Sequence, residues 1–180
     1  MKKELSQKIE IPEGVEANIE GDLLVINGQE GENKRKFNFG LVEIKKDNNT
    51  IILECKKSTK REKKTMNTIT SHIKNMIGGV QKKFEYNLKV CFSHFPVNVE
   101  IKDKEALIKN FLGEKTPRKV VIPEGVSVEL DKQQITIKSI NKEFAGQAAA
   151  NFERATIVKG RDRRVFQDGI YLTNKAGREI

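Results

Sequence analysis

The word IPEGV is written twice in this chain of 180 residues, at 11–15 and at 122–126. The flanking residues decide whether that is an accident. Ala17, Ile19, Leu24 and Ile26 follow the first copy, and Val128, Leu130, Ile135 and Ile137 follow the second at the same offset of 111 positions. A shared word carried on a shared apolar rhythm marks a duplicated unit. The length suits two small domains of roughly 90 residues each.

The local patterns give each unit its class. In VEANIE (15–20) the apolar positions alternate, Gly21-Asp22 makes a turn, and LLVING (23–28) runs back as a hairpin. Residues 37–39, 42–47 and 50–55 are expected to add strands, the last two joined around Asn48-Asn49, giving an antiparallel meander with one buried face. From 61 to 80 the period changes. Met66, Ile69, Ile73, Met76, Ile77 and Val80 trace one stripe of an amphipathic helix, with Gly78-Gly79 as the expected stop. Such a stripe is read as core packing, not as a ligand groove.

The second unit repeats the plan. Residues 83–94, 97–103 and 106–111 read as strands with a break at Pro96, and 127–138 as a hairpin matching the first. A helix is expected over 141–159, capped by Asn141, with Ala148, Phe152 and Ala155 facing inward. The helices align at an offset of 82, which pairs Gly78 with Gly160, Phe84 with Phe166 and Leu88 with Ile170. The second unit is therefore 29 residues shorter between hairpin and helix, about one hairpin. The expected fold is α+β: two tandem homologous domains, residues 1–82 and 83–180, each an antiparallel β-sheet packed against an α-helix.

Charge is concentrated. The chain has 34 Lys and Arg against 25 Asp and Glu, a net +9. KKSTKREKK (56–64) carries a net +5 and RATIVKGRDRR (154–164) a net +4, so two windows hold the whole excess. The first lies at the start of its helix, where the macrodipole disfavours cations, so helix stability does not explain it. The second lies at a helix end and beyond, where cations are tolerated. Two dense clusters in an otherwise balanced chain point to phosphate, whose neutralisation releases counterions and gives salt-sensitive binding. With no Trp, two Tyr and nine Phe, most of the latter at core positions, few residues remain as stacking platforms. No helix-turn-helix, zinc finger or basic zipper is recognisable. Backbone and shape recognition of structured RNA fits this inventory best.

Other chemistries find no support. Cys55 and Cys91 form no CxxC, and His72 and His94 add no ligand pair, so no metal or other cofactor is expected. There is no GxxxxGK[ST] or GxGxxG loop and no triad spacing, so no enzyme is expected. The opening MKKELSQKIEIPEG lacks the apolar centre of a signal peptide, and no run approaches the ~18 apolar residues of a membrane span. A soluble, cytoplasmic protein with no membrane partner is the expectation.

Long motifs in order carry a family resemblance. MNTITSHIKNMIGGVQKKFEYNLKVCFSHFPVNVE (66–100), IKNFLGEKTPRKV (108–120) and VKGRDRRVFQDGIYLTNK (158–175) resemble large-subunit ribosomal protein six in its archaeal and eukaryotic branch. The resemblance spans essentially the whole chain. It implies two related α+β domains and a structural component of the large ribosomal subunit. That component would bind 23S-type rRNA near the sarcin-ricin loop and the base of the lateral stalk, beside the translation-factor docking region and among neighbouring ribosomal proteins. It transfers an rRNA-binding role to Lys159, Arg161, Arg163, Arg164, Lys175 and Arg178, and to Lys115, Arg118 and Lys119 in the loop before the second IPEGV. Arg154, where the family signature has Gln, enters on the charge of its window, as do Lys60, Arg61, Lys63 and Lys64. Asp168-Gly169 reads as a tight turn, and Phe166 and Tyr171 as sheet-buried or base-stacking. The alternatives are an extraribosomal RNA-binding regulator and a protein-interaction scaffold whose basic windows meet an acidic partner.

Overall fold

A computed structural model describes residues 3–180, without the side chains of Lys3 and Lys57, the latter part of the first basic window. The chain divides into two compact units, residues 1–83 and 84–180.

The first unit contains β1 (Lys3–Glu10), β2 (Glu16–Glu20), β3 (Leu23–Gly28), β4 (Gly31–Lys36), β5 (Glu43–Asp47), β6 (Thr50–Ser58) and α1 (Lys60–Gln81). Its strands form two antiparallel three-stranded sheets, β1-β6-β5 and β2-β3-β4, and not the single meander expected. β1 causes the difference by pairing with β6 from the other end of the unit. KELSQKIE and GENKRK, the sequences of β1 and β4, are too polar to show an apolar alternation. Residues 37–39, expected as a strand, form none; Phe37 and Phe39 are nonetheless buried. α1 touches both sheets and buries Met66, Ile69, Ile73, Met76, Ile77 and Val80. Gly78-Gly79 does not end it, because the helix continues to Gln81. The helix end meets β3 so closely that a Cβ on Gly28 would lie 2.8 Å from Val80 Cγ2. Glu30 N then donates to Val80 O at 3.0 Å, partnering a carbonyl left over by the helix.

The second unit contains β7 (Phe84–Cys91), β8 (Asn98–Lys102), β9 (Glu105–Lys109), β10 (Arg118–Val121), β11 (Val126–Asp131), β12 (Gln134–Ser139), α2 (Lys142–Ala155), β13 (Gly169–Lys175) and β14 (Arg178–Glu179), with a 3-10 turn at Phe111–Gly113. A sheet β10-β9-β8 accompanies a five-stranded sheet β11-β12-β7-β13-β14. The core gathers Leu88, Ile108, Phe111, Ile135, Ile137, Ala148 and Phe152. Asn141 caps α2 as expected, accepting from Glu143 N at 2.9 Å. The helix stops at Ala155, four residues short of the expected end, and Thr156 explains the stop. Its Oγ1 donates back to Phe152 O and Glu153 O at 3.2 Å and accepts from Ile170 N at 2.9 Å, tying the helix end to β13. Most of the basic window is therefore loop.

The two IPEG segments make the same turn. Gly14 and Gly125 take φ of +82° and +76°, values that favour glycine. Ile11 N donates to Asn49 O at 2.8 Å and Ile122 N donates to Lys104 O at 2.9 Å. Those acceptors sit in two-residue turns, between β5 and β6 and between β8 and β9, whose first residues Asn48 and Asp103 both have positive φ. The hairpin apparently missing from the second unit is thus present, but it precedes IPEG instead of following it. Sheet β10-β9-β8 repeats β1-β6-β5 strand for strand with the connections permuted.

Candidate nucleic-acid interface

The first basic window opens α1. Thr59 is its N-cap, and a capping box joins Thr59 and Glu62: Thr59 N donates to Glu62 Oε2 at 2.7 Å and Arg61 N donates to Thr59 Oγ1 at 3.3 Å. The Thr59 hydroxyl and backbone hydrogen bonds hold the Glu62 carboxyl below the ordinary carboxylate range. Lys60, Arg61, Lys63 and Lys64 flank Glu62 in the chain, all exposed. The capping box anchors a helix start that otherwise presents cations at the positive end of a dipole.

In the second unit three loops meet: β7–β8 (92–97), β9–β10 (110–117) and α2–β13 (156–168). Asp168 joins the first to the third. Only 1% exposed, it accepts from Ser93 N and Ser93 Oγ at 2.9 Å and from His94 N at 3.3 Å, with His94 Nδ1 3.1 Å away. Burial pushes its carboxyl up, but the Ser93 and His94 hydrogen bonds together outweigh that and hold it below the usual range. Asp168-Gly169 is accordingly an anchor, not a tight turn. Gly169 opens β13, where an added Cβ would lie 3.1 Å from the Tyr171 ring.

Arg118 joins the second loop to the third. Its Nη1 donates to Ala155 O at 2.7 Å and Ile157 O at 3.3 Å, its Nε and Nη2 grip both oxygens of Glu114, and its guanidinium lies 4.4 Å from the Phe111 ring centroid. The bond from Arg118, then the charges of Arg118 and Arg161, holds the Glu114 carboxyl down. A further contact finishes the assembly. His94 stacks on Phe166 with centroids 4.5 Å apart, and the Arg161 guanidinium lies 4.7 Å from the same Phe166 centroid.

This geometry sorts the residues expected to bind rRNA. Arg118 and Arg161 come together at Glu114, where the loops meet, while Lys115 stands exposed on the second loop and Lys159, Arg163 and Arg164 on the third. Arg164 pairs with Asp162 at 3.2 Å with its side chain 91% exposed. Arg154, on the last turn of α2, and Lys119, on β10, are also exposed. Arg118 is largely engaged within the protein, so it positions the loop that carries other cations. Lys175 and Arg178 lie at the far end of β13, which spans roughly 20 Å at ~3.3 Å per residue. Lys60, Arg61, Lys63 and Lys64 belong to the other unit.

Sequence reasoning missed Asp168 and the aromatic residues of the first loop. Asp168 meets partners 74 and 75 positions away, a separation with no local signature. The expectation that the core takes up the phenylalanines fails at Phe92, Phe95 and Phe144, which are 37%, 43% and 46% exposed. Tyr171 is 47% exposed, its hydroxyl donating to Gln167 O at 3.0 Å. Among the described residues no cluster of potential metal ligands occurs, and no helix is long and apolar enough to cross a membrane.

The sequence profile described as "Ribosomal protein L6" matches residues 11–83 and again residues 95–169, one span in each unit. Relatives named "Large ribosomal subunit protein uL6" match nearly end to end. That of Methanobrevibacter smithii is 44% identical over 171 residues, covering 95% of this chain and 96% of the relative. Those of Methanococcus vannielii and Methanothrix thermoacetophila are each 42% identical, covering 98% and 97% of this chain and 97% and 99% of the relative. Two permuted copies of one sheet-and-helix plan, a matching profile in each and full-length archaeal relatives agree: the chain belongs to the ribosomal protein L6 family.

Proposed function

We propose that this chain is a structural, non-catalytic protein of the large ribosomal subunit that binds the subunit's rRNA chiefly through the three joined loops of its second unit. The relatives' names supply the assembly. The observation that carries the binding reading is the double tie at Asp168 and Arg118. It holds a five-cation window on a defined frame in place of a solvated tail. A tied loop loses less backbone freedom when phosphates arrive than a solvated tail does, which favours a structured polyanion. The finer placement, near the sarcin-ricin loop and stalk base beside the translation-factor docking region, rests on the motif at 158–175. In this reading Lys159, Arg161, Arg163 and Arg164 neutralise phosphates, with Lys115, Lys119 and Arg154 flanking. Lys175 and Arg178 reach a separate backbone segment, and Lys60, Arg61, Lys63 and Lys64 another.

The test is a salt titration of binding to purified archaeal large-subunit rRNA. Replacing Arg161, Arg163 and Arg164 together by Ala should weaken binding and flatten the log K against log salt slope by about 3, roughly one per lost phosphate contact. An unchanged affinity and slope would overturn the site assignment.

A further inference from the structure

The β7–β8 loop carries no Lys or Arg, yet it is tied to both of the other loops and leaves its aromatic side chains partly open. Phe92 and Phe95 are 37% and 43% exposed, and the His94 side chain is 30% exposed. Exposed apolar surface rimmed by polar groups marks interaction sites, and this loop places two partly open phenylalanines three positions apart. Nor is the loop loose. Asp168 holds Ser93 and His94, Asn110 Nδ2 donates to Pro96 O at 3.0 Å, and Phe166 backs the His94 ring. Gly113, at φ +78°, lies under Phe95, where an added Cβ would be 3.4 Å from the ring.

From this geometry we infer that Phe92, His94 and Phe95 form a stacking site for one or two unpaired RNA bases, with Arg161, which lies over the Phe166 ring that backs His94, to meet a flanking phosphate. The inference deepens the rRNA-binding reading and rests on it. Charge complementarity selects the occupant. A purely apolar partner would leave the cations unanswered, and a paired helix would hide its base faces. An extruded or single-stranded nucleotide supplies both a π face and phosphate. Its bases need no particular identity, since stacking reads faces and not edges. The site also gives Asp168 a role at the RNA: a positioning residue that fixes the aromatic loop and the basic loop in one frame.

The experiment uses the full chain with purified archaeal large-subunit rRNA, in two readouts. Short-wavelength ultraviolet crosslinking followed by peptide mapping should find a nucleotide attached within residues 92–95. In salt titrations, Phe92→Leu/Phe95→Leu should bind roughly 5- to 150-fold more weakly while keeping the wild-type salt slope, because it removes stacking and no charge. Phe95→Tyr, which keeps a ring over Gly113, should bind as wild type and so guards against a folding defect. Wild-type affinity for the double Leu variant, with no crosslink within 92–95, would overturn the stacking site while leaving the rRNA reading intact. Failure of the wild-type chain to bind the rRNA would overturn both. Nuclease-resistant retention of an acidic protein at this loop would overturn the choice of RNA as occupant.

Discussion

Asp168 concentrates more of the second unit's organisation than any neighbouring residue. Its carboxylate collects donors from one loop and fixes the start of β13, so removing it loses the bonds from Ser93 and His94 and leaves a gap at a nearly buried position. Asp168→Ala should lower the unfolding free energy of this unit by about 2 kcal/mol, within the range for hydrogen bonds to a charged group. Both tyrosines, Tyr86 and Tyr171, lie in this unit and the chain has no Trp, so tyrosine fluorescence in a urea titration reports on it. The pH dependence has a definite sign. Because the folded carboxyl is held low, its contribution is complete above about pH 4, the ordinary unfolded value, and is lost as pH falls through the depressed folded value. The wild type should therefore lose stability between pH 7 and pH 3 by more than Asp168→Asn does. Equal losses would show that the carboxylate contributes nothing there. Arg118→Lys keeps the charge but not the fork that spans Glu114 and two backbone carbonyls, and should cost about 1–2 kcal/mol. Faster hydrogen exchange in 156–168 would register it. The charge of Arg118 was legible in the sequence; its engagement with the end of α2 and the loop beyond was not, because those two carbonyls lie 37 and 39 positions away.

The elements divide by how their residues advertise themselves. α1 was readable because its stripe repeats at helical spacing, β2, β11 and β12 because apolar residues alternate along them, and β3 because an apolar run returns from the Gly21-Asp22 turn. β1 and β4 were not, since their pairing is backbone chemistry carried on mostly charged and polar side chains. The end of α2 was misplaced because Thr156 ends it through a bond to β13, a tertiary event. In α1 the capping box and the basic window act against one another, which can be measured. Thr59→Ala should destabilise the first unit by about 1 kcal/mol, seen as a lower thermal midpoint by circular dichroism. Changing Lys60, Arg61, Lys63 and Lys64 together to Gln should do the opposite, stabilising the helix start by a few tenths of a kcal/mol per charge. The same variant should bind rRNA more weakly with a flatter salt slope. Weaker helix and unchanged binding would mean the window serves the fold and not a phosphate.

At the scale of the whole molecule the duplication was plain and its wiring was not. IPEGV announced two units, and the turn it writes is indeed made twice. The 29-residue deficit looked like a lost hairpin because sequence offsets follow chain order. Pairing in space shows that hairpin transferred to the front of the second unit. The family was legible in the motifs and the cations in the charge count, whereas the frame that holds the basic loop depends on contacts between loops distant in sequence. What the molecule presents is then two sheet-and-helix units with different basic faces, one at a helix start and one on tied loops. That suits a protein fastening separate backbone segments of a large folded RNA. The most direct test is sedimentation of a tagged copy from an archaeal cell extract, with RNA crosslinked to it sequenced from the fraction where it runs. The account predicts that it travels with the large subunit and carries large-subunit rRNA crosslinks near the sarcin-ricin loop. A copy that sediments free of the subunit, without rRNA crosslinks, would contradict it.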